Sequence, residues 1–149
     1  MIAQMNFGTT LAPLETPIMA EFTDNLDRIN ALAEASEGFI WRLQDDSGNA
    51  TSIEVMTDPK AVLNVTVWRS VQDLFRFTYQ SDHRYFVRHS AKWFVPTSKR
   101  SMVLWNLPEG ASMPTPQEAF MRLRHLETEG PTDFAFDFKT ANRFVASGP

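Results

Sequence analysis

The sequence predicts an α+β fold: a ferredoxin-like split βαβ unit, with one antiparallel sheet and helices on one face. Three observations carry this. Segments with strand character lie at 2–12, 39–44, 62–69 and 101–107. Helical periodicity fills the intervals between the first and second and between the third and fourth. No internal repeat or low-complexity stretch interrupts the resulting order β-α-β-β-α-β.

The first strand, IAQMNFGTTLA, alternates imperfectly, and Gly8 marks a bulge or a close approach. Thr16 and Pro17 supply a cap and a first-turn proline. Met19, Phe22, Leu26, Ile29 and Leu32 then recur at helical spacing until Gly38 stops the helix. Phe39, Trp41 and Leu43 alternate with Ile40, Arg42 and Gln44, giving a second strand that ends in the turn signal Asp45-Asp46-Ser47-Gly48-Asn49. A short strand is expected at Ser52 to Met56, and Asp58-Pro59 leads into the third strand, Val62 to Arg69.

Ser70 with Asp73 resembles a capping box, and Val71, Leu74, Phe75 and Thr78 form the buried stripe of the helix it opens. Ser81-Asp82 caps a further helical segment from His83 to about Ala91. Ser101 to Leu107 is the fourth strand. Thr115-Pro116-Gln117-Glu118 opens a last long helix, with Ala119, Phe120, Leu123 and Leu126 inward and Gly130-Pro131 at its end. Phe134 to Phe138 reads as a short final strand. The expected organisation is one domain over 1–138 and a loose tail over 139–149.

Composition narrows the function. A chain of 149 residues fits one domain, and 12 Phe with 4 Trp provide bulk for a packed core. A net charge of −4 argues against a general nucleic-acid binder, which would need a broad basic face. With no cysteine, disulfides, thiolate nucleophiles and zinc ribbons are excluded. The N-terminus does not read as a secretion signal and no apolar run approaches a membrane span, so a cytoplasmic protein with no membrane partner is expected. Each central strand carries substantial groups on both sides, for example Leu63 and Asn64, or Met102 and Leu104 on one side with Val103 and Trp105 on the other. Packing two sheets face to face in a homodimer would cover the second face.

The richest segment is Phe77 to Phe94, FTYQSDHRYFVRHSAKWF. Aromatic walls around a few converging polar groups suit a pocket for a flat or anionic small molecule. His83 is the leading candidate base, since imidazole accepts and returns protons near neutrality; a backbone-bonded helix-cap histidine is the competing reading. Arg84, Arg88 and Lys92 fall at i, i+4 and i+8, a stripe that suits an anion, though such a stripe is more often simply a solvated face. Arg88 has aromatic flanks in Tyr85, Phe86 and Trp93, and an arginine so held offers a planar donor fork. Trp41, Trp68, Trp93 and Trp105 divide between core and pocket, and Asn64 on a central strand must find partners or cost about 1–3 kcal/mol. The spacing of His83, His89 and His125 does not suggest a metal site. There is no phosphate loop and no nucleophile elbow.

GFIWRLQ at Gly38 to Gln44, NVTVWRSVQDLFRFTYQSDH at Asn64 to His83, Trp93-Phe94, VLWNLPEG at Val103 to Gly110 and PTPQEAFMRLRHLETEGPTDFAF at Pro114 to Phe136 together resemble a bacterial family of unknown function. That family is similar to the antibiotic-biosynthesis monooxygenases of the dimeric α/β-barrel superfamily. The resemblance implies a homodimeric barrel with a pocket between sheet and helices. It also implies chemistry of several kinds: cofactor-free oxygenation, haem binding or degradation, isomerisation, or none.

The leading expectation is an enzyme that performs acid/base chemistry on a flat, anionic organic molecule without a cofactor, by oxygenation or isomerisation. His83 is its base, and Arg88 and Tyr79 stabilise an enolate. Asn64, Trp68, Trp93, Phe86 and Trp41 hold the ring. The alternatives are a non-catalytic binding protein for a hydrophobic metabolite or haem, with His83 or His89 as axial ligand, and a structural or regulatory dimer.

Overall fold

In the computed structural model, residues 1–44, 60–97 and 99–146 are described. Within them the sheet has the order β2-β3-β1-β4, with β1 Ile2–Thr9, β2 Phe39–Arg42, β3 Ala61–Trp68 and β4 Met102–Asn106. All three pairings are antiparallel. This architecture is α+β and compatible with a ferredoxin-like fold. The expected short strand at Ser52 to Met56 and the turns at Asp45 to Asn49 and Asp58-Pro59 lie outside the described residues.

Register explains how the two faces differ. Ala3, Met5 and Phe7 of β1 stand beside Val67, Val65 and Leu63 of β3, and Ala3 and Met5 beside Trp105 and Val103 of β4. This odd-numbered face is dry. The even-numbered face carries Ile2, Gln4, Asn6 and Gly8 opposite Trp68, Thr66, Asn64 and Val62. Alternation along a strand sends these sets to opposite sides of the sheet.

Both crossover connections pack on the even face. The first is a 3-10 turn, Pro17–Met19, followed by α1 (Ala20–Asp24) and α2 (Leu26–Glu34) rather than one continuous helix. The break falls at Asn25, whose amide donates to the Glu21 carbonyl at 2.7 Å and so competes with the helical backbone ladder. Thr16 does not cap, because its hydroxyl turns back to the Pro13 carbonyl at 2.6 Å. The second crossover is α3 (Val71–Gln80) and α4 (His83–Arg88) with a 3-10 turn at Ser90–Lys92. Here the capping box forms as expected, with Asp73 N donating to Ser70 Oγ at 3.1 Å. Ala33, Leu74 and Phe77 from these crossovers join Ile2, Trp68 and Leu104 in the even-face core.

The opposite face departs from expectation. Helix α5 (Pro116–Glu129) is capped by Thr115, whose Oγ1 accepts from Glu118 N at 3.1 Å, and ends at Gly130 with φ 78°. Its Ala119, Leu123 and Leu126 pack into one core with Ala3, Met5, Val65, Val67, Val103 and Trp105. Helices therefore lie on both faces. The hydrophobic requirement that pointed to a partner's sheet is met by this chain's own helix, because burial of apolar surface does not depend on which chain covers it.

The C-terminal segment is docked too. Phe136 forms a bridge to Leu104, with backbone bonds of 2.8 and 2.9 Å, in place of a full final strand. Helix α6 (Ala141–Phe144) follows, Ala141 is buried, and the Asn106 side chain bonds Phe144 O and Ala146 N at 2.8 and 2.9 Å. The expected loose tail is thus tied down as far as residue 146, since β4 holds it by a side-chain amide. No helix among the described residues is long and apolar enough to cross a membrane.

Candidate functional site

A cavity of about 1120 Å³ opens between the even face and the crossover helices, and continues around the sheet end to Phe120 and Leu123 of α5. Its floor is Gln4, Asn6 and Gly8 of β1 with Val62, Asn64 and Thr66 of β3. Phe22, Leu26 and Ile29 form one wall, and Phe77, His83, Phe86 and Phe94 another. The aromatic segment singled out in the sequence thus contributes much of the lining.

Chain geometry seats that wall. Thr10 bridges to Phe94, and Leu11 N and Val95 N bond Trp93 O and Thr9 O at 2.7 and 2.8 Å, so residues 93–95 continue the edge of β1. A Cβ on Gly8 would lie 2.7 Å from a Phe94 ring carbon. Of the two readings of this glycine, close approach is the one realised.

His83 sits at the start of α4. Its ring packs on Phe77 at 4.8 Å, and Nδ1 lies 3.2 Å from the Thr78 carbonyl. A carbonyl only accepts, so Nδ1 carries the hydrogen, and Nε2, with no partner among the described residues, keeps its lone pair. Burial lowers the pKa below the ordinary 6.5, outweighing the raising effect of the Thr78 bond. The neutral, proton-accepting form is therefore favoured at pH 7. Asp82 does not assist, since it faces Arg28 at 3.6 Å.

This shift has a consequence for stability. Between the lowered folded pKa and the ordinary value of about 6.5, the unfolded state binds more protons, so stability rises with pH. His83 contributes nothing adverse above that value, and stability is lost as pH falls through the folded pKa. His83→Gln should flatten the urea midpoint between about pH 5 and 7 relative to the parent. Asp137 acts in a separate, more acidic window: burial raises its pKa, but bonds from Thr140 and Arg100 hold it below the ordinary 3.8. An unchanged slope in the variant would refute the His83 account.

The floor is polar and orderly. Gln4 Nε2 donates to Thr66 Oγ1 at 2.8 Å, and Trp68 Nε1 donates to the same oxygen at 2.9 Å. One rung along, Asn64 Nδ2 donates to Asn6 Oδ1 at 3.2 Å. Gln4 is 4% exposed, and its Oε1 is buried without a partner.

Of the eight candidates read from sequence, His83, Tyr79, Phe86 and Asn64 line the cavity. Tyr79 does so from an exposed position against Phe75 and Phe138. Arg88 is exposed and does not line it. Trp68 is fully buried, stacked on Phe77 at 5.2 Å on the same sheet face as the floor, two residues beyond Thr66, and does not line the cavity. Trp93 is buried behind the wall against Phe22 and Phe86, and Trp41 packs toward the α5 side. Gln4, Asn6 and Thr66 were not singled out, although their alternation with Ala3, Met5, Val65 and Val67 is visible in the sequence. No group of three or more His, Asp or Glu side chains converges as a metal site among the described residues.

Strand order, crossovers on the even face and a cavity beneath them define an α+β protein with an aromatic-walled, polar-floored pocket. Residues 1–147 match the family described as Domain of unknown function (DUF3291), and the chain belongs to it. This agrees with the likeness to a family of unknown function read from the sequence. No curated protein matches the chain.

Proposed function

We propose that the cavity binds a flat organic molecule and that His83 Nε2 takes a proton from it, in chemistry of the cofactor-free oxygenase or isomerase kind. The observation that carries this is the Nδ1 bond to the Thr78 carbonyl, which commits the imidazole to one tautomer and leaves the basic nitrogen unpaired beside an aromatic-walled space. Arg84, Arg88 and Lys92 stay outside the lining, but Arg42, Lys99, Arg100 and Arg124 belong to it, so an anionic ligand would be met by cations other than those of the stripe. Stabilisation of a developing oxyanion then falls to the Asn6 and Thr66 donors rather than to Arg88. The resemblance to antibiotic-biosynthesis monooxygenases read from the sequence points to the same cofactor-free reaction class.

One feature also suits haem. A histidine whose Nδ1–H is held by a carbonyl keeps Nε2 free to bind iron, so His83 would hold a haem through that atom and the carbonyl bond would raise its basicity as a ligand. Both readings turn on the same atom. His83→Ala should lower turnover of a hydroxylated polycyclic aromatic at least a hundredfold, with the circular dichroism spectrum intact. Titration with haemin separates the second reading: a Soret shift in the parent that vanishes in the variant, with no turnover by either, selects it. Undiminished turnover in the variant would end the catalytic assignment.

A further inference from the structure

The cavity is more cationic than the chain that encloses it. The protein carries a net charge of −4, yet among the described residues the lining holds Arg42, Lys99, Arg100 and Arg124 against one carboxylate, Glu127. Tyr79 brings a phenol and His83 a neutral imidazole, so neither offsets the excess. A cleft lined mainly by one sign of charge focuses its field and concentrates ligands of the other sign.

The four cations are not equivalent. Arg100 is engaged, with Nη1 2.6 Å from Asp137 Oδ2. Lys99 and Arg124 are exposed, where water screens their charge, and Arg124 has Glu127 one turn further along α5. Arg42 differs from all three. It stands opposite Thr66 in the β2–β3 register, between Trp41 and Leu43, which pack into the odd-face core, so its side chain rises from the even face. There Nε donates to Glu34 Oε1 at 2.7 Å, and Glu34 is the last residue of α2, whose Leu26 and Ile29 wall the cavity. The Arg42 side chain keeps 12% of its surface accessible, so it is held without being sealed. Nη1 and Nη2 have no partner among the described residues. A guanidinium engaged through Nε still presents its Nη1/Nη2 edge as a planar donor fork, which a carboxylate meets with two parallel bonds. Glu34 is 50% exposed, and solvent screening leaves it cancelling only part of the Arg42 charge.

We infer that Arg42 anchors the carboxylate of a flat aromatic acid whose ring lies among Phe22, Phe77 and Phe86. This rests on the reading of the cavity as the ligand site and names the class of molecule it takes. The contact is stronger at Arg42 than at Lys99 or Arg124, because less water lies around the paired charges. Arg42 thereby sets a preference for charged over neutral aromatics, and Glu34 positions its guanidinium.

The test compares naphthoate with naphthamide, which keeps the rings and one carbonyl but loses the charge and the second acceptor. Calorimetric titration of the parent protein should favour naphthoate at least about tenfold, the worth of a charge-assisted pair. Arg42→Gln should abolish that preference while leaving naphthamide affinity near the parent value. Glu34→Gln keeps an oxygen for Nε and removes the competing charge, so naphthoate should bind about two- to fivefold tighter with naphthamide unchanged. An ion pair that only ties α2 to β2 would instead cost both compounds equally in both variants, and that result would overturn the inference. So would equal affinities in the parent, or a preference that survives Arg42→Gln through Lys99 or Arg124. Binding of both compounds that Phe86→Ala weakens, with no preference for naphthoate, would overturn it and leave the cavity reading standing. No binding of naphthoate, naphthamide or a hydroxylated polycyclic aromatic would remove both.

Discussion

Gly38→Ala is expected to destabilise the fold by about 2–5 kcal/mol, a large part of the total for a domain of this size. Gly38 joins α2 to β2 at φ 83°, a conformation that disfavours a side chain by about 1–2 kcal/mol. An added Cβ would also collide with the Asp73 carboxylate. Asp73 cannot move without loss. It is 6% exposed, its backbone N–H is capped by Ser70, and its carboxylate accepts from Ser70 Oγ at 3.0 Å and from Arg76 at 3.1 Å. Displacing it opens the first turn of α3 and removes those bonds, adding about 1–3 kcal/mol of overpacking and cap loss. Gly38 O also accepts from Arg69 N at 2.7 Å, so the strain reaches the end of β3. Urea unfolding of Gly38→Ala, Asp73→Ala and the double variant checks the mechanism. The double change should cost less than the sum, because the group struck by the new methyl is gone. Strict additivity would show that Gly38 and Asp73 do not oppose each other.

The sequence was readable where local chemistry decides the outcome. Ser70 and Thr115 cap as their spacing with Asp73 and Glu118 indicates, and the four strands appear where alternation and β-branched residues place them. Thr16 shows the limit of the same rule, because the Pro13 carbonyl offered its hydroxyl a nearer partner. The cationic stripe failed for a related reason. Arg84, Arg88 and Lys92 share a face only if one helix spans them, but α4 ends at Arg88 and the 3-10 turn that follows changes the residues per turn. Lys92 instead lies over the Tyr85 ring at 5.6 Å.

Long-range choices were not readable. Helical periodicity showed that α5 buries Leu123 and Leu126, but not which sheet face receives them, since either would be apolar enough at Val65 or Trp68. The site divided the same way. His83 and Phe86 were found because they lie in an unusual segment. Gln4 and Thr66 were missed because each is an ordinary strand residue, and their pairing exists only in the register of β1 on β3. Indole-rich positions misled: Trp68 and Trp93 are large enough to fill the core on which the cavity rests.

The position of α5 yields the second large effect. Leu123 is 6% exposed and sits in the core formed with Met5, Val65, Val103 and Trp105. Leu123→Asp would place a carboxylate there with no partner, at a cost of at least about 3 kcal/mol beyond the lost apolar contact. The helix cannot rotate to release it, because Ala119 and Leu126 are buried on the same stripe and Arg122 is tied to the Phe134 carbonyl at 2.7 Å. The variant should therefore lose its cooperative melting transition or show it lowered by more than about 10 °C, with a dye for exposed apolar surface binding at temperatures where the parent excludes it. Glu127→Lys, on the exposed side of the same helix, serves as the control and should stay within about 0.5 kcal/mol. The comparison also decides between the two ways of covering this face. If a second chain's sheet lay against Val65 and Trp105, α5 would be peripheral, Leu123→Asp would be mild, and a polar substitution at Val65 would split a dimer before it unfolded a monomer. With α5 as the cover, Leu123→Asp and Val65→Asp should instead cause unfolding of similar severity at every protein concentration, because the two side chains occupy one intramolecular core.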